Sequence, residues 1–244
     1  MKRYLAAALI AVILVSAFSI VSVLAQGPPD IQQRIFIHFA NDRPAKPPKG
    51  DTGFYRLLGV KWKSFPVPLE VNPANSYGLT ETFVLAAIHV AAEEWDDGAY
   101  SGWGGVTPNL FDNILTTTIK GYNDLAWTSD KLDGKNTIVW GNYPSSGAIA
   151  VTIIWYNTRT KTILEFDMVL DTDYPWGDAT TTANPNVMDL QNIVTHELGH
   201  GAGLDDLYQS LAYQETMYGY SSFGETSKRD LYTGDKQGIT KLYG

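Results

Sequence analysis

His196-Glu197-Leu198-Gly199-His200-Gly201-Ala202-Gly203-Leu204-Asp205-Asp206 is the stretch whose reading decides the fold. Residues four apart on a helix share a face, so His196 and His200 present two imidazoles close enough to bind one metal ion. Glu197, beside the first histidine, can reach a water held on that ion, the arrangement expected of a hydrolytic zinc site. Gly203 lets the chain leave the helix and turn, so that Asp206, six residues past His200, supplies a third ligand. Asp205 is the neighbouring competitor, and spacing favours Asp206. Two imidazoles and one carboxylate leave a position on zinc open for water. With four histidines in 244 residues, random order yields only roughly 0.002 matches to the five-residue core, so coincidence is a poor account of it.

The segment before the motif reads as the start of its helix. Asn186 follows Pro185 as the expected N-cap, with Asp189 three residues on as its box-like partner. Val187, Leu190, Val194 and Leu198 make one apolar face and the histidines emerge on another. Such a helix belongs under a cleft.

Farther upstream the chain is β-rich. Ala148–Tyr156 and Lys161–Leu170 are two long strands joined through Asn157-Thr158-Arg159-Thr160, a hairpin pattern. Short strands are expected at Thr116–Lys120 and Asn136–Tyr143, and another in the run from Pro66 to Pro73. Thr80 caps a helix reaching about Trp95, with Phe83, Val84, Ile88, Ala91, Ala92 and Trp95 at helical spacing. His89 on that helix is read as a packing or surface residue. Asp171, Asp173 and Asp178, at and beyond the end of the second long strand, offer oxygens for a possible Ca2+ site; solvated loop acids are the plainer alternative.

Globular patterning begins near Val60. Residues 26–60 run from Gln26-Gly27-Pro28-Pro29 through a short apolar piece, Ile35-Phe36-Ile37, to a Pro- and Lys-rich stretch. They read as an N-terminal extension, a possible short propeptide, and a linker. His38 within them is taken as an ordinary exposed histidine. Lys2 and Arg3 precede an apolar run from Leu5 to Leu24 that ends in Val23-Leu24-Ala25, so residues 1–25 are expected to be a signal peptide. The run is also long enough to remain as a membrane anchor. Either way the remainder lies outside the cytoplasm, secreted or anchored, and touches a membrane only if residues 5–24 are retained.

Composition narrows the partners. The 18 basic and 26 acidic residues, a net charge of −8 and no basic run argue against nucleic acid as the main partner. The absence of cysteine rules out disulfides and a thiolate-bound metal. At 44% hydrophobic and 12% aromatic residues the chain has ample material for a core, placed in residues 61–244.

Several separated features, in order, make the sequence resemble the metzincin metallopeptidases, the matrixin branch most closely. They are the His196–Asp206 motif, Glu215-Thr216-Met217-Tyr218, the strand Phe166–Asp171 with Trp176, and the tail from Asp230 to Gly244. An aspartate in place of the usual third histidine is similar to the snapalysin branch. The resemblance implies an α+β, zincin-like fold: a mixed, twisted sheet of about five strands, two main helices and a smaller C-terminal lower part. It implies one catalytic Zn2+ on His196, His200 and Asp206, with Glu197 as general base and Met217 packed beneath the metal without binding it. Ala148, Ile149 and Ala150 would be an exposed strand edge that pairs with an extended protein or peptide substrate, and residues 218–223 would wall the adjoining pocket. The function implied is that of a secreted zinc endopeptidase. A zinc-containing binding or adhesion protein with little turnover is the alternative, disfavoured because Glu197 is intact.

Overall fold

The structure is a computed structural model that describes residues 30–40, 53–99, 109–181 and 186–244. The expected signal or anchor segment lies outside the described residues. No helix among them is long and apolar enough to cross a membrane.

Two ten-residue strands, β5 (Ala148–Asn157) and β6 (Thr162–Asp171), form the centre of the molecule. They pair antiparallel, as their hairpin pattern requires. Both are buried on both faces, which explains their nearly continuous apolar runs. Ala150, Ile154, Phe166 and Met168 join the core beneath the helices, while Val151, Ile153, Trp155 and Val169 join a second cluster on the opposite face. On the β6 side follow β4 (Asn136–Gly141), β2 (Leu69–Val71) and β3 (Thr116–Thr117), all parallel. On the β5 side come β1 (Ile31–Ala40) and then β9 (Tyr220–Ser221), giving the order β3-β2-β4-β6-β5-β1-β9. The sheet is mixed, as expected, and has seven strands because β1 and β9 extend it.

Strand β1 was not foreseen, since it falls within the stretch read as extension and linker. It pairs antiparallel with β5 over almost its whole length, Ile31 opposite Asn157 and Phe39 opposite Ala148. A strand edge presents a row of unpaired N–H and C=O groups, and the β-branched and aromatic residues of Ile35-Phe36-Ile37-His38-Phe39 suit that position. Gly53–Val60 is also tied to the body of the molecule: Leu58 N donates to Gly203 O at 2.9 Å and Asp205 N to Arg56 O at 2.8 Å.

Helix α1 (Glu81–Ala99) begins where Thr80 Oγ1 accepts from Phe83 N at 3.2 Å. Val84, Ile88, Ala91, Ala92 and Trp95 are buried on its inner face. Trp95 Nε1 donates 2.7 Å to Thr195 O, tying α1 to α2 (Leu190–Ala202). The N-cap of α2 is Asp189, whose carboxylate accepts from Asn192 N, and not Asn186. Met188 and Asp189 are held extended as β8, paired with β7 (Trp176–Gly177), so the helix cannot start earlier. Every α2 residue except Gln191 is buried, so the helix is a central rod with no solvent face.

Gly203 ends α2 at φ 107°, where its N–H and that of Leu204 close on the carbonyls of His200 and Gly199. This left-handed stop suits glycine alone, because a Cβ would also sit 2.7 Å from Val60 O. Helix α3 (Thr233–Tyr243) closes the lower part. Its Asp235 accepts from Thr216 N at 2.6 Å and Met217 N at 3.1 Å, fixing the turn beneath α2.

Candidate metal centre

The helix and the stop at Gly203 bring three side chains to one point. Asp206 Oδ1 lies 3.3 Å from His196 Nε2 and 3.5 Å from His200 Nε2. Their ring centroids are 4.8 Å apart. Each imidazole is oriented from behind: His196 Nδ1 is 2.7 Å from Thr216 O, and His200 Nδ1 is 2.9 Å from Leu204 O. A carbonyl oxygen only accepts, so each Nδ1 carries a hydrogen and Nε2 is left as the lone-pair nitrogen of the neutral ring. Asp206 is fixed in turn by the Tyr208 hydroxyl, which donates to Oδ2 at 2.9 Å.

His196 Nε2, His200 Nε2 and Asp206 Oδ1 are all buried without a hydrogen-bond partner. Unsatisfied buried polar atoms are costly, and three of them converging is unusual in a native core. A cation removes the cost. Two bonds of about 2.0–2.1 Å at a tetrahedral angle span about 3.3–3.4 Å, which the two N···O separations match. The electrostatics agree. Burial opposes a charge on Asp206, yet the adjacent His200 and His196 hold its carboxyl far below the usual range. Burial likewise opposes a charge on His200, and Asp206 outweighs it, raising the imidazole above its ordinary value.

Glu197 adjoins this group. Thr152 on β5 donates to Glu197 Oε2 at 2.5 Å, while Oε1 has no hydrogen-bond partner. Burial pushes its carboxyl up, but contact with His38 and the charges of His196 and His200 bring it below the usual range. Glu197 is therefore an ionised carboxylate with one oxygen that accepts no hydrogen bond. Beneath the helix, Met217 is buried against α2: a methyl on Gly199 would overlap both its Sδ and the Trp95 ring. Glycine is what lets the methionine approach.

Residues 145–244 match the model of the matrixin family. Matrix metalloproteinase-16 of Homo sapiens is 39% identical over 205 residues, which are 78% of this chain and 28% of that protein. The Mus musculus protein of that name matches to the same extent, and the Rattus norvegicus one is 39% identical over 199 residues. This chain is a matrixin-like metzincin. It spans little more than a quarter of the length of the curated relatives it matches.

In this matrixin-like chain the structure brings together His196, Glu197, His200 and Asp206, with Met217 beneath α2. The neighbouring Asp205 faces away, receiving Arg34 Nη2 on both oxygens at 2.9 Å and Arg56 Nε at 3.3 Å. Two other expectations change. The edge of Ala148, Ile149 and Ala150 is covered by β1, with His38 opposite Ala150, and Ala40 N donates to Gly147 O at 2.9 Å. Asp171, Asp173 and Asp178 do not converge. Asp171 accepts from the backbone N–H of Tyr143 and of Asp173, Asp173 accepts from Asn142 Nδ2, and Asp178 pairs with Arg229 at 2.7 Å. Among the described residues the groups able to hold a metal are His196-His200-Asp206 and His38-His196-Glu197. His89 belongs to neither.

Sequence reasoning missed Thr152, Tyr208 and His38. Thr152 and His38 each sit between apolar residues on a strand, so period-two counting does not mark either as facing the helix. Both meet Glu197, and that depends on strand register, which sequence does not fix. His38 is fully buried. Burial, then the neighbouring His196, lowers it to about 4, so it is a neutral imidazole.

Proposed function

We propose that this chain is a zinc-dependent endopeptidase that hydrolyses peptide bonds of proteins or peptides, with water as the nucleophile. The observation that carries the reading is the convergence of three unpartnered ligand atoms beside a carboxylate with one free oxygen. His196 and His200, through Nε2, and Asp206, through Oδ1, would hold the metal. Bound there, zinc supplies Lewis-acid polarisation of the scissile carbonyl and makes water more acidic.

Glu197 does the proton work. Its Oε1 takes a proton from the attacking water and later hands it to the leaving amine. Thr152, by donating to Oε2, holds the carboxylate in one orientation and keeps Oε1 the more basic oxygen. Thr216 O and Leu204 O keep both imidazoles in the ligating tautomer, and Tyr208 restrains Asp206. Met217 gives the site an apolar floor. With β1 displaced from the edge it covers, an extended substrate would add as a strand along β5 at Ala148–Ala150, with the stretch from Tyr218 to Phe223 walling the pocket for the residue after the cut. We place this activity outside the cytoplasm, on the strength of the Lys2-Arg3 and Leu5–Leu24 pattern.

The test is cleavage of unfolded casein with and without a chelator, beside Glu197→Ala. The reading expects cleavage that the chelator abolishes and the variant loses, with zinc still bound to the variant. Cleavage that persists in Glu197→Ala rejects the general base. Stoichiometric zinc with no cleavage in any preparation, including one freed of residues before Gly53, supports a binding protein instead.

A further inference from the structure

The basic residues of this acidic chain fall into two kinds. Every arginine among the described residues is ion-paired with a carboxylate, as are Lys120, Lys135 and Lys228. Lys61, Lys63, Lys161 and Lys241 have no carboxylate partner among the described residues, and all of them line one pocket of about 320 Å3 whose walls carry no acid. Lys241 also borders a neighbouring hollow that holds Lys236, likewise unpaired. A concave wall of one charge sign focuses its field into the space it encloses, so the pocket is a positive site on a chain of net charge −8.

Backbone contacts fix where these lysines stand. Lys61 N donates to Lys161 O at 3.1 Å and Ile163 N to Lys61 O at 3.0 Å, which joins the Lys61–Lys63 segment to the β5–β6 turn. Lys61 Nζ donates to Leu242 O at 2.5 Å and so brings the C-terminal end of α3 against them. Helix chemistry accounts for part of the group: Lys241 lies in the last turn of α3, where a cation suits the dipole, and Lys61 satisfies a terminal carbonyl. It accounts for neither Lys63 nor Lys161. Lys161 stands in the hairpin turn at φ 56°, and no other residue except glycine is left-handed among the described residues. Glycine or asparagine adopts that conformation at less cost, so a lysine there calls for a reason beyond the turn.

From this grouping we infer a further binding site, lined by Lys61, Lys63, Lys161 and Lys241, for a compact ligand that carries several sulfate or phosphate groups. Lysine binds such oxyanions as a flexible point charge, and ammonium groups on several sides of one hollow suit a ligand charged on several sides. The site lies at the turn end of β5. Ala148–Ala150 lie at its other end, about 30 Å away at about 3.3 Å per residue. An occupant there leaves the proposed cleft free.

Calorimetric titration of the full chain at low ionic strength, with sucrose octasulfate and separately with fructose bisphosphate, tests the inference and tells a sulfated source from a phosphorylated one. At least one probe is expected to bind one-to-one, with an affinity that falls as salt is raised. Lys161→Asn, which keeps a residue tolerant of the turn, and Lys63→Gln are each expected to weaken that binding about fivefold or more. Lys131→Gln removes an unpaired lysine outside the pocket and is expected to change it by less than about twofold. Binding of neither probe overturns the inference, as does full affinity in both Lys161→Asn and Lys63→Gln. An equal loss in Lys131→Gln overturns it too, since attraction would then follow net charge and not the pocket. No proposed metal ligand is altered in these variants, so the outcome is separate from that of the zinc reading.

Discussion

Two groups of acidic residues lie near the ends of α2, and they have opposite designs. At the C-terminal end Asp206 faces two imidazole nitrogens, and each of the three atoms lacks a protein partner. At the N-terminal end Asp178 and Asp189 share Arg229, and Asp189 also caps the helix. Asp171 and Asp173, at the end of β6, likewise have protein donors. The first group is short of positive charge; the second is supplied by the chain itself. Acidic residues at a loop therefore indicate a metal only when their donors are missing, and that difference is invisible in composition.

The largest effect that could break this contrast is on metal affinity. His196→Ala and Asp206→Ala are each expected to weaken zinc binding by more than the roughly 10–100-fold typical of losing an outer-shell partner. Asp178→Ala should leave it unchanged, as read by competition with a chromophoric chelator. The second effect is on stability. Arg229→Met strands Asp189, buried and helix-capping, so unfolding in denaturant should show a loss of about 2–4 kcal/mol with zinc stoichiometry intact. Loss of zinc from that variant would blur the two designs.

A third measurement sharpens the role of Glu197. Thr152→Val keeps the shape but removes the donor to Oε2, and kcat/KM is expected to fall about tenfold, about 1.4 kcal/mol, with zinc retained. Unchanged activity would mean that Glu197 needs no such restraint.

The smallest effect concerns carboxyls with neither a metal nor a cation to hold them. Burial raises Glu165 from 4.5 to about 7 and Asp167 from 3.8 to about 6, despite backbone N–H donors. Their folded forms bind protons more tightly than their unfolded forms, so this contribution to stability is full below about pH 4 and is lost as pH rises towards about 7. The melting temperature should fall across that window, and Glu165→Gln should flatten the slope. A slope unaltered in Glu165→Gln would reject Glu165 as its source.

How much of this was legible follows from the kind of interaction involved. The proposed ligands were readable because a helix fixes the i, i+4 relation and Gly203 fixes the turn, both within eleven residues of sequence. Helix α1, its Thr80 cap and the β5–β6 hairpin were readable for the same local reasons. The cap of α2 was misplaced because Met188–Asp189 is drawn into a strand pair with a distant segment, Trp176–Gly177. Strand β1 reads as a linker in sequence because its exposed positions Gln32, Gln33 and Arg34 give little apolar alternation. Its partner, β5, is more than a hundred residues away. Register and long-range pairing decide what His38, Thr152 and Arg34 touch, and those are properties of the folded sheet.

The central claim is that Asp206, with His196 and His200, holds a single zinc ion. Calorimetric titration of the metal-free chain with zinc, side by side with Asp206→Ala and Asp205→Ala, tests it most directly. The account predicts one zinc per chain for wild type and Asp205→Ala, with binding greatly weakened in Asp206→Ala. Full-affinity binding by Asp206→Ala, or loss confined to Asp205→Ala, would contradict it.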